Sequence, residues 1–392
     1  MLRVDAKLSP RAPARAPSLL DPAVLLGRAA FVPDPTSLAT GFFGKRVLVT
    51  GGAGSIGREI AAQIAGASPE RLTLLDRSES GLYMTRVDLG RRVPSVPVDA
   101  LVGDILDTRR LTEVLAACRP EVVFHAAAYK QVPMMEDNEV EAFRNNVIGT
   151  INVATAATAC GAGRFVLIST DKAVNPAGIM GATKRLAEMA VLAIPGPTAM
   201  VCVRFGNVLG SDGSVVRVFE KQIADGGPVT VTHPEASRYF MTIEEAVGLV
   251  LEAGAMGSGG DVLCLPMGRP VGILSLARHM IERAGTQASG RDLGIVFTGL
   301  RPGEKLHEES LTGPPAGEGR PIRHGIIRSA ASRGTPDLLE RISALHRALD
   351  DSTAGERRAL VRRALIQLIP EFGESPATAT TTFGGVTVRS IS

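Results

Sequence analysis

The stretch from Gly44 to Gly57, GKRVLVTGGAGSIG, constrains this chain more than any other. Val47, Leu48 and Val49 form a short apolar run rich in β-branched residues, the pattern of a strand buried on both faces. Thr50 to Gly52 turns the chain, and Ser55 to Ile60 opens a helix. Gly51 permits the tight turn, Gly54 lets backbone approach a pyrophosphate, and Gly57 lets the helix pack against the strand. Ser55, Ile56 and Gly57 then offer unpaired N–H groups and the positive end of a helix dipole to phosphate. Such a motif is weak by itself, but its context strengthens it. Arg71 to Asp76 reads as the next strand, and Asp76 falls where a ribose-binding carboxylate belongs. Asp76 favours NAD; Arg77 directly after it suits a 2′-phosphate, which keeps NADP open.

The same alternation continues. Strands are expected at Val98–Val102, Glu121–Phe124, Arg164–Ile168 and Ala199–Phe205, with helices at Leu111–Ala117, Glu141–Cys160 and Gly181–Leu192 between them. Strands and helices at this spacing imply βαβ crossovers, hence an α/β fold with a doubly wound parallel sheet, a Rossmann domain. Beyond residue 210 the rhythm loosens. Helices at Ser214–Gly226, Thr242–Ala255 and Ile273–Ala284 and strands at Val229–Val231, Val262–Leu265 and Ile295–Thr298 suggest a smaller lobe over the sheet's carboxyl edge. The reading divides the chain into an N-terminal extension (1–43), a dinucleotide-binding domain to which later segments return (44–210), a C-terminal α/β substrate lobe (211–330), C-terminal helices (331–372) and a disordered tail (373–392). Residues 1–18 also read as disordered. Pro336 sits where a first helical residue belongs, its missing N–H costing nothing there.

Composition excludes several classes. A net charge of +3 with scattered basic residues and 4% aromatics does not argue for nucleic acid. Cys118, Cys160, Cys202 and Cys264 lack metal-ligand or disulfide-framework spacing, so reduced, buried thiols are expected. His125, His233 and His307 form no metal pattern either, and no metal is expected. No run approaches the roughly 18 apolar residues that span a bilayer. The N-terminal segment lacks a signal peptide's apolar core. The expectation is a cytoplasmic protein without a membrane span.

Reactive groups in doubly wound sheets collect at the strands' carboxyl ends. Asp104, with Ile105 beside it, follows the third strand, where a carboxylate accepts from an adenine amino group. Ala126 and Ala127 follow the fourth, small enough for a cofactor to lie against backbone. The fifth strand ends in Ser169, Thr170, Asp171 and Lys172, and Lys184 opens the next helix. An acid, a base and a cofactor-orienting lysine would then share one pocket. The plainer alternative is an exposed loop ion pair at Asp171 and Lys172.

Taken together, TGGAGSIG (50–57), HAAAYKQVP (125–133), NNVIGT (145–150), STDKAVNP (169–176), GATKR (181–185), RFGNVLGS (204–211), RYFMT (238–242) and RPGEKLHEE (301–309) resemble the extended short-chain dehydrogenase/reductases. More narrowly, they are similar to nucleotide-sugar 4,6-dehydratases of the polysaccharide-biosynthesis, CapD-like branch. Leu25 to Arg28 resembles the linker that joins the enzyme to a membrane region in the branch's long members, so a free-standing soluble version is expected. Where most short-chain dehydrogenases carry a catalytic tyrosine, this chain has Met180, and a thioether exchanges no protons. Long members of the branch share this methionine.

The resemblance implies a redox-neutral reaction on UDP-N-acetylglucosamine: oxidation at C4, loss of water across C5 and C6, and hydride return to C6. It assigns Lys172 as the C5 base, Asp171 as the acid, Thr170 to the C4 oxygen and Lys184 to the nicotinamide ribose, with Asp171 and Lys172 exchangeable. A lysine base needs a depressed pKa, which nearby Lys184 and a cationic cofactor would give. Lys130, Arg204, Arg238 and Arg301 are candidates for the diphosphate, Glu304 for a ribose hydroxyl and Asn207 for the sugar. The alternatives are a 4-epimerase on the same scaffold or a catalytically silent dinucleotide-binding protein. Pairing of copies into a dimer or hexamer is also implied.

Overall fold

In β1, Arg46–Thr50, successive apolar side chains enter different cores. Val47 and Val49 pack with Ile60, Ile64, Leu72, Leu74 and Phe124, whereas Leu48 packs with Leu75, Val114, Val123 and Phe165. A strand with helices on both sides has no polar face, which is why the run reads as continuously apolar. The computed structural model describes residues 22–32, 35–285, 293–311, 320–329 and 334–373. Both segments expected to be disordered, 1–18 and 373–392, lie outside these residues except for Gly373.

β1 pairs in parallel with β2 (Arg71–Asp76) and β4 (Val122–His125). β2 continues to β3 (Val98–Val102), and β4 to β5 (Arg164–Ile168) and β6 (Ala199–Arg204). The order β3-β2-β1-β4-β5-β6 reverses direction between β1 and β4, the switch point at which ligands bind in such sheets. Ser55–Gly66 and Glu79–Arg92 cover one face; Thr108–Cys118, Thr150–Ala159 and Ile179–Ala193 cover the other.

Several segments read as part of the substrate lobe, 211–330, lie in the large domain. Asp261–Cys264 adds in parallel to β6, and Ile327–Ser329 and Arg320–Pro321 extend the same sheet antiparallel, giving nine strands. Ile243–Met256 packs against Ser55–Gly66 rather than in the small lobe. Periodicity identifies each element as helix or strand but carries no information about the sheet to which it returns. The small lobe has its own core around Phe219, Val229, Val231, Phe240, Leu276 and Met280, with Val229–Val231 paired to Ile295–Phe297.

Two further expectations are corrected. The helix over 141–160 is not uniform: Glu139–Phe143 and Thr150–Ala159 flank a π-helical stretch, Arg144–Gly149. That widened turn carries Asn146, whose Oδ1 accepts from Tyr129 N (2.8 Å) and whose Nδ2 donates to Tyr129 O (3.0 Å). Pro336 does not open a helix; Leu338–Asp350 starts after Asp337, followed by Ala354–Leu368. This pair buries Ile342, Leu345, Leu349, Val361 and Leu365 against Phe143, Met180, Leu186 and neighbouring residues. Cys118, Cys202 and Cys264 are buried and Cys160 half-buried, all with free thiols.

Candidate active site

The turn after β1 depends on two glycines. Gly51 has φ +71°, and a Cβ there would lie 2.6 Å from Ala127 N; one on Gly57 would lie 2.1 Å from Gly51 O. Gly54 caps the helix without a side-chain hydrogen bond, so its first-turn N–H groups have no side-chain cap. At the end of β2, Asp76 accepts from Ala53 N (3.0 Å) and Ser78 N (2.9 Å), fixing a carboxylate at the rim of the glycine turn. Arg77 lies over the Tyr129 ring, 4.8 Å from its centroid, and donates to its hydroxyl (2.6 Å). These groups fit a dinucleotide: uncapped N–H groups for its phosphates and a fixed carboxylate for a ribose diol. Asp104 accepts from Leu106 N (2.9 Å), while Ile105 is buried against Gly149. Ala126 lines the cleft described next; Ala127 packs into the core beneath.

A cleft of about 430 Å³ opens between the sheet's carboxyl edge and the small lobe. Thr170, Lys172, Met180 and Lys184 line it from the sheet side, and Lys130, Asn207, Arg238, Arg301, Glu304 and Glu308 line the remainder. Asp171 does not. Its carboxylate is 2% exposed, behind its neighbours, with Oδ1 accepting from Thr170 Oγ1 (2.9 Å) and Lys172 Nζ (3.0 Å). Oδ2 is buried without a hydrogen-bond partner. The exposed ion pair considered from sequence is therefore a largely buried one. Lys172 Nζ also donates to Asn207 Oδ1 (2.9 Å) and lies 3.4 Å from Glu308 Oε1.

The electrostatics around Lys172 favour its charged form. Burial alone would lower its pKa, but Asp171 and then Glu308 outweigh burial, and the net direction is up. Lys184 is the amine that burial does pull down, to about 8, with its Nζ donating to Ile168 O (2.7 Å). Below the cleft, His125 Nδ1 and Nε2 meet Thr50 Oγ1 (2.6 Å) and Thr150 Oγ1 (2.9 Å). Thr150 gives its own proton to Asn146 O (2.7 Å), so it accepts from Nε2–H and Thr50 donates to Nδ1. Burial, aided by Lys184, drives the His125 pKa down to about 3, and the ring is neutral.

Arg204 is not a diphosphate ligand. It forms a buried two-pronged bond to Glu188, Nε to Oε1 (2.8 Å) and an NH2 nitrogen to Oε2 (2.5 Å), and does not line the cleft. Ser169 Oγ joins Glu188 at 2.6 Å. Arg301 and Glu304 pair with each other across their turn (2.7 Å) at the cleft mouth. Arg238 donates to the carbonyls of Ser237, Lys305 and Leu306 and lies 3.5 Å from Glu308. Lys130 reaches Ser211 Oγ (3.3 Å), its pKa lowered by burial. Sequence reasoning assigned no role to Glu188 or Glu308; Glu308 stands inside the RPGEKLHEE stretch, four residues after Glu304.

A switch-point glycine turn, a strand-end Thr-Asp-Lys cluster and a lobe closing over them define an extended short-chain dehydrogenase/reductase fold. The chain belongs to the family described as polysaccharide biosynthesis protein, whose model matches residues 47–318. It is 49% identical over 294 residues to the capsular polysaccharide biosynthesis protein CapD of Staphylococcus aureus, covering 73% of this chain and 48% of CapD. Against the probable polysaccharide biosynthesis protein EpsC of Bacillus subtilis it is 48% identical over 290 residues, with the same coverage. The chain thus spans about half the length of these two relatives. It is 32% identical over 279 residues to a UDP-glucose 4-epimerase of Rickettsia typhi, covering 69% of this chain and 78% of that one. Among solved structures, Pen from Bacillus thuringiensis superimposes with TM-score 0.64 at 34% identity, covering 68% of this chain and 82% of Pen. The Thermus thermophilus UDP-glucose 4-epimerase complex with NAD, at 23% identity and TM-score 0.58, covers 67% of this chain and 89% of its own, and shares the fold. No helix among the described residues is long and apolar enough to cross a membrane.

Proposed function

We propose that this chain is an NAD-dependent nucleotide-sugar 4,6-dehydratase acting on UDP-N-acetylglucosamine. The observation that carries the reading is the Thr170-Asp171-Lys172 cluster, Thr170 and Lys172 at the cleft wall and Asp171 behind them, with a methionine on the same wall where a proton-exchanging phenol would otherwise stand. A pure binding module has no use for a buried, mutually hydrogen-bonded acid and amine at the sheet's switch-point edge. Gly51, Gly54, Ser55, Ile56, Gly57 and Asp76 would hold the dinucleotide, and engagement of Arg77 by Tyr129 supports NAD over NADP. When bound, that cofactor supplies hydride acceptance and return. Lys130, Arg238 and Arg301 offer cations to a diphosphate, Glu304 an acceptor to its ribose, and Asn207 a contact to the sugar.

Thr170 polarises the C4 hydroxyl, and Lys184, with a pKa near 8, is the cleft amine suited to take up the released proton. The charged state of Lys172 supports reversing the roles expected from sequence. Lys172 becomes the acid at the C6 hydroxyl, and Asp171, acting through Thr170, the base at C5.

The test is incubation with UDP-N-acetylglucosamine in deuterated water, followed by mass spectrometry and proton NMR. A product lighter by one water with deuterium at C5 supports the reading. The sequence similarity to a UDP-glucose 4-epimerase favours a second reading, in which the product keeps its mass, inverts at C4 and gains no deuterium at C5. Asp171→Asn should lower turnover at least about a hundredfold, the scale of lost acid–base catalysis; full turnover in that variant sinks the assignment.

A further inference from the structure

Lys172 Nζ has carboxylates on two elements far apart in sequence. Asp171 Oδ1 approaches from the end of β5 at 3.0 Å, and Glu308 Oε1 from the segment after the Arg301–Glu304 turn at 3.4 Å. The Glu308 side chain is 3% exposed yet borders the cleft. Asn207 Oδ1 fixes a third direction at 2.9 Å. The same Oε1 lies 3.5 Å from Arg238 Nε, and Arg238 is itself held by three backbone carbonyls. One carboxylate oxygen is thus shared between the amine and a guanidinium whose position the backbone fixes.

We propose that Glu308 is a positioning residue of this site, clamping the Lys172 ammonium together with Asp171 so that Lys172 meets the hexose as a proton donor. The inference rests on the dehydratase reading and deepens it. In the elimination, the C5–H bond breaks and its electron pair forms the C5–C6 double bond. The C6–O bond breaks with its pair, and the departing hydroxyl takes a proton from Lys172 Nζ and leaves as water. The C5 proton passes through Thr170 to Asp171 and crosses from Oδ1 to Nζ, restoring carboxylate and ammonium. Nothing is oxidised in this step, and the proton count closes. Among the charged groups facing Nζ, Asp171 and Glu308 favour the ammonium and Arg238 opposes it. Removing Glu308 therefore leaves Arg238 less opposed and weakens the hold on the proton.

The experiment compares wild type, Glu308→Gln and Glu308→Asp, each checked for folding by circular dichroism. Trace acetylation of Lys172 by acetic anhydride, followed across pH by peptide mass spectrometry, reads the amine directly without any turnover. The glutamine variant should label about tenfold faster at a fixed pH below its pKa, the equivalent of one pKa unit. Its alkaline limb of turnover should move to lower pH by a similar amount, and the aspartate variant should restore most of both. Unchanged labelling in Glu308→Gln, or a shift confined to the acid limb, overturns the proposal. If wild type releases no water from UDP-N-acetylglucosamine, the dehydratase reading fails, while the labelling still decides whether Glu308 holds Lys172.

Discussion

Two lysines line one cleft and are driven in opposite directions. Among the described residues no carboxylate pairs with Lys184 Nζ; burial outweighs the more distant Glu188, and its pKa falls to about 8. Lys172 has Asp171 and Glu308, and in a low-dielectric site the carboxylates outweigh burial. His125 offers a test of the same physics against stability. Its pKa in the folded chain, about 3, lies below the ordinary 6.5. Between those values the unfolded chain binds a proton that the folded one refuses, so stability rises with pH and is lost as pH falls below 6.5. The slope from this one group approaches about 1.4 kcal/mol per pH unit. Urea unfolding at pH 4 to 7 should show that slope, and His125→Gln should remove its share. Arg204 separates a structural from a ligand-binding role. In Glu188, burial raises the pKa, but Arg204, Arg185 and Ser169 outweigh it and the net direction is down. Arg204→Met leaves that buried carboxylate short of its main partner and should cost about 3–5 kcal/mol in urea unfolding. The KM for the proposed nucleotide-sugar substrate should not move, because Arg204 does not border the cleft.

Among the elements, the glycine turn and the end of β5 were legible before any coordinates, since each is a short run whose residue types suit one local geometry. The π-helical turn at Arg144–Gly149 was not. Its composition is that of an ordinary helix, and what singles it out is Asn146 clamping both backbone groups of Tyr129. The C-terminal helices were legible as helices but not as part of the site's foundation. They pack on Ile179–Ala193, the helix that carries Met180 and Lys184, and Arg185 is tied to Glu371 beyond it (3.1 Å). Leu365 is wholly buried in that contact. Leu365→Ala should cost about 2–5 kcal/mol, read as a lowered denaturant midpoint with an unchanged m-value.

At the level of the whole molecule, the loop after β6 is tied to the glycine motif and to the segment after β4. Ser55 Oγ donates to Asp212 Oδ2 (2.8 Å) and accepts from Asp212 N (3.0 Å), Lys130 bonds Ser211, and Gln131 Nε2 reaches Gly213 O (3.4 Å). The first helical residue of the glycine motif thus touches the small lobe directly. Segments far along the chain complete the same body: Arg28 bonds buried Glu245, and Asp261–Cys264 restores the sheet beside β6. The large domain is assembled from both ends of the sequence, which is why a boundary at residue 210 describes the chain better than it describes the molecule.

The sequence by itself determined the βαβ alternation, the glycine turn, the carboxylate at the end of β2 and the residue cluster at the end of β5. These follow from backbone geometry and side-chain periodicity, which neighbours along the chain decide. Tertiary structure alone decided which charges meet. It sent Arg204 to Glu188 rather than to the cleft, brought Glu308 to Lys172, and set Asp171 behind Thr170. Protonation depends on burial and on charges a few ångströms away, and those neighbours come from segments that only folding brings together.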